Sequence, residues 1–580
     1  MNPTNTRCDV LKAETLCEAL QHRAKYQKDK LFCTVVKHKS EQSITFGELY
    51  DHASQYGRAM RSLGLETGER VAVMLPTSTE FLFSYFGAML AGLVPSAISP
   101  SFMPRKIDFF VKERAGMLKR IGASALIASK QNKKTTAAIK SSVPGMRYSL
   151  TPEDMEQCSC NQNLDGVISP EDMAMIQFSS GSSGWQKGIL LTHSNLMSNI
   201  KAVHLTMGTT PEDVNVSWLP LYHDMGLIGC VYGTLFAGCR LVLMSPNTFI
   251  ASPGSWLRAI HQKSGTIGVA PNFGYQLCID RARGLDAEKI DLSAWRCALV
   301  GSEMVTENTV AGFVEKFGPF GFRKEAFMPV YGLAEATLAV CFTPPNTGPL
   351  IDQVNLRGLV TKGIAEPAGN GEGNTSFVSV GKHVPGVEVK VVDQTGTEVS
   401  ERVQGRLLTR SSSVMSEYFN NPVATSEVLR DGWLDTGDLA YRVDGYIFVT
   451  GRSKDVIIKA GRNYNPEHIE QAVWSVPGIR KHSVAAFGIL SREKGTENIV
   501  VMAEAKIREK EEVGKLVLAI NQAVSKRVEL TPDEVVIVQP RTIPKTTSGK
   551  VQRALCRLLY LKGKAQSPMT NDKSPRSNMV

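Results

Sequence analysis

The chain has 580 residues, 42 % of them hydrophobic and 21 % charged, with a formal net charge of +10. These fractions are ordinary for globular domains and exclude a low-complexity or collagen-like chain; the length allows about three or four domain-sized units. No run of about 18 uninterrupted apolar residues occurs, so no transmembrane segment is expected.

The charge is concentrated at one end. Residues 541–580 hold nine Lys or Arg against the single acid Asp572, which leaves the first 540 residues nearly neutral. A basic C-terminal face can steer an acidic protein or a phosphorylated ligand. Aromatic and basic residues do not interleave as in a nucleic-acid reader, so no nucleic-acid partner is expected. Eleven scattered cysteines fit reduced, mostly buried thiols better than a disulfide framework or a zinc site. The opening "MNPTNTRCDVLKAE" lacks a basic-then-apolar export layout. Both features point to a cytoplasmic location.

From the N-terminus, "RVAVMLP" (70–76), "SALIAS" (124–129), "MAMIQF" (173–178), "CRLVLM" (239–244) and "RCALVG" (296–301) read as short buried strands. They alternate with helical stretches to about residue 340, the pattern of a layered α/β domain. Among those helices, "FLFSYFGAMLAGLV" from Phe81 reads as a buried helix opened by a Thr77 to Glu80 capping box. Between Glu335 and Gly381 the sequence loosens into Pro, Gly and polar residues, an inserted surface excursion centred on 340–378. Strand character returns in "VEVKVVD", "GRLLTR" and "GYIFVTG".

A second unit is expected after Gly451. Asn465 suits a helix N-cap, Pro466 the first helical position, and Ile469, Val473 and Val476 share one face. Two strands, "SVAAFGIL" and "NIVVMAEAK", a helix over "EEVGKLVLAINQAVSKRV" and a strand "EVVIVQP" complete a small α/β module. The division is therefore a large domain over 1–450, a small one over 451–562 and a disordered basic tail over 563–580.

One loop in the large domain stands out, "SSGSSGWQKG" at 179–188. Gly/Ser runs serve as flexible connectors, but bare N–H groups and short hydroxyls also wrap phosphates. The flanking "MAMIQF" and "GILLTHSNLMSNI" clamp this one between ordered elements, which favours the phosphate reading. It is not a Walker loop, because Lys187 follows Gly184 by three residues and precedes Gly188. Nor does "SGSSG" form a G-x-S-x-G nucleophile elbow. His223 and Asp224 could form a base or a metal site, yet no Ser, Cys or second His stands at ligand spacing. Taken singly, Glu335 could be a surface charge, Asp438 a turn residue and Lys550 an ordinary lysine near a basic tail.

Six separated motifs change that balance: "WLPLYHDMGLIG" (218–229), "GSE" (301–303), "YGLAEAT" (331–337), "GWLDTGDLA" (432–440), "GRSKDVIIKAGRNYNPEHIE" (451–470) and "PKTTSGKVQR" (544–553). In this order they resemble the adenylate-forming superfamily of acyl-CoA synthetases, luciferases and nonribosomal adenylation domains, over nearly the whole chain. "WLPLYHDMGLIG", "YGLAEAT" and the excursion after 340 are similar to the fatty acyl-AMP ligases within it.

The resemblance implies an adenylate-forming fold: a large multi-subdomain N-terminal domain of sheets flanked by helices, and a small mobile C-terminal α/β domain. It implies ATP and Mg²⁺ as cofactors, a fatty acid as substrate, and an acyl carrier protein, acting in trans through its phosphopantetheine thiol, as acceptor. By the same resemblance Ser179, Ser180, Gly181, Ser182, Ser183, Gly184 and Lys187 hold the β- and γ-phosphates. Gly301, Ser302 and Glu303 line the adenine pocket with Tyr331, Gly332 and Leu333, Tyr331 stacking on the base. Ala334 stands where many relatives carry Thr, Glu335 holds Mg²⁺, and Asp438 accepts both ribose hydroxyls. Arg452 contacts ribose or phosphate, Lys454 is the hinge, His223 gates the path from ATP to the acyl pocket, and Lys550 bridges the carboxylate and the α-phosphate. Residues 270–278, "APNFGYQLC", are expected to line an apolar acyl channel or to be ordinary core. A CoA-using acyl-CoA synthetase and a nonenzymatic adenylate-binding scaffold are the alternatives.

Overall fold

The computed structural model describes residues 12–563, apart from 38–39, 101–106, 159–162, 165, 180–185, 286–288, 370–373, 460–461, 492–495, 507–509, 529 and 547–548. The expected tail over 563–580 falls, but for Gly563, outside the described residues.

Nine strands form the central sheet. Its spatial order is Lys382–His383, Ala339–Phe342, Phe327–Gly332, Cys297–Gly301, Ile267–Pro271, Val214–Ser217, Arg240–Met244, Leu31–Val36 and Glu41–Thr45. The six strands from Phe327–Gly332 to Leu31–Val36 are parallel, and antiparallel strands close both edges. Parallel strands covered on both faces must be apolar throughout, which is why "RLVLM" and "CALVG" read as unbroken apolar runs. In such sheets ligands sit beyond the carboxyl ends of the strands, where the chain leaves the layer.

Among the described residues four further sheets lie before Gly451, one of them the two-stranded pair Ile351–Asn355 with Asn374–Val378. A four-stranded parallel sheet is built on Arg70–Met74 and Ala123–Ala128, and the hairpin Met173–Phe178 with Gly188–Thr192 takes up the short strand Glu417–Tyr418. Trp433–Val443 pairs with Gly405–Arg410 on one side and Tyr446–Arg452 on the other. After Gly451, the strands Ile479–Ser491, Thr496–Ala505 and Glu534–Val538 and the helices Pro466–Trp474, Lys510–Val528 and Arg553–Leu561 enclose apolar clusters of their own. The Asn465 side chain caps Pro466–Trp474 by accepting from the Glu467 N–H at 3.0 Å, with Pro466 in its first turn.

Local readings differ in three places. Every residue of the helix Thr79–Leu90 except Glu80 is buried, but its cap is Ser78, whose hydroxyl accepts from the Phe81 N–H, and not Thr77. The stretch after 340 is ordered where described: Ile351–Asn355 pairs with Asn374–Val378, and the helix Leu356–Lys362 lies between them. Leu356 is 4 % exposed because it packs into the apolar cluster of the C-terminal unit with Ile457 and Tyr464. Eight cysteines are buried free thiols, whereas Cys158 is disulfide-bonded.

Candidate active site

The hairpin Met173–Phe178 and Gly188–Thr192 brings the ends of the Gly/Ser loop together. Ser179 N donates to the Lys187 carbonyl at 2.9 Å, and Lys187 N donates to Ser179 Oγ at 3.0 Å. Arg120, on the helix Ile107–Ile121, donates to the Gln186 carbonyl at 3.1 Å. The expected phosphate-binding residues Ser180, Gly181, Ser182, Ser183 and Gly184 lie outside the described residues. Lys187 stands 4.2 Å from the centre of the Tyr418 ring, and the Tyr418 hydroxyl donates to Glu335 Oε1 at 2.9 Å. A cation and a carboxylate are thus joined through one tyrosine, a residue that nothing in its own stretch, "VMSEYFNNP", marks as special.

Opposite the hairpin, the central strands deliver the next groups at their carboxyl ends. Gly301 closes Cys297–Gly301 so tightly that an added Cβ would stand 2.8 Å from the Val330 carbonyl. Ser302 follows with φ 71°, a left-handed conformation uncommon for serine and frequent at functional sites. Glu303 accepts from the Phe273 N–H; burial pushes its carboxyl up, opposed by that bond and by Lys550. Tyr331 and Gly332 end Phe327–Gly332, and Leu333 leads into the turn Ala334–Ala336 that carries Glu335. Mg²⁺ beside a nucleotide takes one or two carboxylates with the phosphates as ligands, a donor set that Glu335 fits.

Asp438, 6 % exposed in the long strand Trp433–Val443, accepts from the Tyr331 hydroxyl at 2.6 Å and pairs with Arg452 at 3.1 Å. Asp438 holds the Arg452 guanidinium above its usual range. Two residues on, Lys454 is exposed at the cavity edge.

The C-terminal unit contributes Lys550. Thr546 N donates to the Lys550 carbonyl at 2.7 Å, and Gly549 stands at φ +87°. Burial, then the Arg452 charge, pulls the Lys550 ammonium below its usual range, while Asp224, Glu303 and Asp438 pull the other way. Lys550 therefore lies within electrostatic reach of groups from three separate motifs.

His223 Nδ1 lies 2.6 Å from Asp224 Oδ1, and Met225 N donates to the same oxygen at 2.7 Å. Burial works to raise the Asp224 carboxyl, but His223, the Met225 N–H and Lys550 together hold it low. The chain then winds as a π-helix over Met225–Tyr232, a form frequent at functional sites.

Most of these groups face a cavity of about 470 Å³ whose two ends differ, though Glu303 and Asp438 do not line it. Lys187, His223, Tyr331, Glu335, Arg452 and Lys550 surround its polar end; Val203, Met207, Val269, Leu299, Leu338 and Phe342 line its apolar arm. A second cavity of about 840 Å³, between the two units, shares His223, Ser302, Tyr331 and Lys550 with the first. Residues 270–278 do not form the apolar arm. Tyr275 and Cys278 are fully buried in the core, and Phe273, Gln276 and Leu277 line the second cavity. The arm runs instead between the helix His193–Met207, the π-helix and the central strands, a tertiary arrangement without a local sequence signal.

Comparison with known proteins agrees with this geometry. The model of the AMP-binding enzyme family matches residues 20–419. A putative acyl-CoA synthetase of Caulobacter vibrioides (strain NA1000 / CB15N) is 33 % identical, covering 90 % of this chain and 91 % of its own. The medium-chain-fatty-acid acyl-carrier-protein ligase JamA of Moorena producens (strain JHB) is 30 % identical, with 95 % of each chain covered. A solved structure from studies of fatty acyl-adenylate ligases of E. coli and L. pneumophila superposes with a TM-score of 0.88 at 31 % identity, covering 96 % of this chain and 99 % of that one. The chain belongs to the AMP-binding enzyme family and, within the adenylate-forming superfamily, is a fatty acyl-AMP ligase, an ATP-dependent acid ligase that activates a fatty acid as its acyl-adenylate.

Proposed function

We propose that the enzyme completes its reaction by passing the acyl group to the phosphopantetheine thiol of an acyl carrier protein. In the first step a fatty acid carboxylate oxygen bonds to the α-phosphorus of ATP, and pyrophosphate leaves. In the second the thiol sulfur bonds to the acyl carbon, AMP leaves with the bonding pair, and the thiol proton goes to solvent. JamA, similar over 95 % of this chain, carries an acyl-carrier-protein ligase name, which supports this acceptor.

The residues divide the work as follows. Lys187 and the loop that opens at Ser179 offset charge growing on the departing pyrophosphate, a contribution typically worth a few kcal/mol per donor. Glu335 holds the Mg²⁺, which when bound neutralises phosphate charge. Tyr331 stacks on adenine in a pocket built with Gly301, Ser302, Glu303, Gly332, Leu333 and Ala334, and Asp438 and Arg452 hold the ribose. Lys550 lies between the carboxylate and the α-phosphate, where one ammonium screens two anions that otherwise repel. His223, shared by both cavities, gates the acyl arm. The large domain spans 1–450, and the 451–562 domain turns about Lys454 between the two steps.

One observation favours a carrier protein over CoA: the helix Leu356–Lys362 of the insertion is docked on the C-terminal unit through Leu356, with Val360 beside it. Turning that unit breaks the contact. A protein acceptor brings an interface large enough to offset the loss, which a small thiol does less well. The test offers a labelled fatty acid with ATP to holo-carrier protein and to CoA. Acyl-carrier formation with little acyl-CoA is expected; robust CoA thioester formation overturns the proposal.

A further inference from the structure

The apolar arm ends in polar groups. Thr209, Asn215, Thr234 and Cys239 are at most 7 % exposed and line the same cavity as Val269 and Leu299. The Asn215 Nδ2 donates to Thr234 Oγ1 at 3.2 Å, and Thr209 Oγ1 bonds His204 Nδ1. The Asn215 Oδ1 meets no hydrogen-bond partner. An acceptor buried without a donor costs free energy that an arriving donor recovers.

Register fixes how deep this group lies. Pro271 stands opposite Gly301 at the nucleotide end, whereas Ile267 stands opposite both Cys297 and Asn215. Four residues of strand separate the two levels, about 13 Å, the span of on the order of ten carbon–carbon bonds in an extended chain.

Resting on the adenylation reading above, we infer that Asn215 selects a medium-length fatty acid bearing a hydroxyl near its distal end, which bonds the buried amide. A hydroxyl both donates and accepts, so it satisfies the amide in either orientation. Along an otherwise apolar arm, a plain alkyl terminus leaves the Asn215 Oδ1 unpaired. The distal hydroxyl stays far from the reacting carboxylate, so the amide sets which acid enters and takes no part in the chemistry.

The test is ATP–pyrophosphate exchange on the full chain with decanoate, 10-hydroxydecanoate and their eight- and twelve-carbon counterparts. The best hydroxy acid is expected to exceed its plain counterpart in kcat/KM by at least about tenfold. Asn215→Leu is expected to reverse that order. Because a buried substitution can fail to fold, calorimetry on the unmodified enzyme with non-hydrolysable acyl-adenylate analogues, with and without the distal hydroxyl, gives a second reading. A plain acid or plain analogue that matches or beats its hydroxylated partner overturns this inference and leaves adenylation standing. Absence of exchange with every acid overturns the adenylation reading itself.

Discussion

The Tyr331 hydroxyl and the Asp438 carboxylate, 107 positions apart in the chain, share a hydrogen bond of 2.6 Å, and both residues line the cavity between the two units. Burial, then the adjacent carboxylate, pushes the Tyr331 phenol well above its usual range, so it remains a donor at any working pH. Each carboxylate oxygen retains a further lone pair, and Asp438 can accept from Tyr331 and from a ribose together. Asp438→Asn replaces one acceptor oxygen with a donor. The expected result is a rise in the ATP KM on the order of 10²-fold with a smaller change in kcat, whereas Tyr331→Phe costs less than about tenfold. The ATP dependence of pyrophosphate exchange gives both values.

Lys550 acts while charged, so adenylation falls as pH rises through its pKa. Burial lowers that pKa in the free enzyme, bringing the alkaline fall of kcat/KM below the ordinary lysine range. Bound ATP and carboxylate add negative charge, so the matching fall in kcat occurs at higher pH. Lys550→Arg removes the fall from both profiles. Lys550→Met lowers exchange on the order of 10²- to 10³-fold but leaves acyl transfer from supplied acyl-adenylate within about threefold. Equal loss in both half-reactions contradicts the assigned role.

The bore of the acyl arm depends on Gly233. A Cβ added there has nothing nearer than the Ile228 carbonyl at 3.8 Å, and its φ of -58° suits any residue. Gly233→Leu therefore fills the arm without straining the helix. Exchange with ten-carbon and longer acids is expected to drop at least about tenfold while hexanoate is retained, with little change in thermal midpoint.

Leu356 ties the insertion to the C-terminal unit, and truncating a buried leucine typically costs about 2–5 kcal/mol. Leu356→Ala loosens that contact more than it weakens either core. Acyl-CoA formation is expected to rise by about tenfold or more, with adenylation changed less than threefold. Side-by-side assays with CoA and with holo-carrier protein measure the shift.

Glu335 is expected to tune metal use. Glu335→Gln keeps the size and the bond from Tyr418 but removes the charge, so half-maximal exchange should require at least about tenfold more Mg²⁺. A metal titration of both forms shows whether the curve moves.

Much of this architecture can be read from sequence because burial leaves a mark on composition. Parallel strands such as Cys297–Gly301 must be apolar on both faces, and the Asn465–Pro466 pair announces its helix through cap chemistry. Other features depend on partners far along the chain. Leu356 and Val360 lie in a stretch dominated by Gly, Pro and polar residues, so their docking leaves only a faint pattern. Tyr418 matters because Lys187 and Glu335 arrive from elsewhere to meet it. Asn215 sits in a four-residue strand, where one polar side chain reads as simple alternation. The capping hydroxyl of Thr79–Leu90 is a one-position question between Thr77 and Ser78, and geometry alone chooses Ser78.

The widened coil over Met225–Tyr232 has a bearing on how such an enzyme can change its diet. A π-turn holds a surplus residue compared with an α-turn, and deleting that residue restores an ordinary α-helix. Because the wide turn absorbs the surplus residue, its loss leaves the helix beyond in register and changes the facing of side chains within the segment itself. A single lost codon in Met225–Tyr232 would therefore re-aim Gly229 and its neighbours along the channel wall, resetting the shape of acid admitted while Gly233 and the nucleotide machinery stay in place.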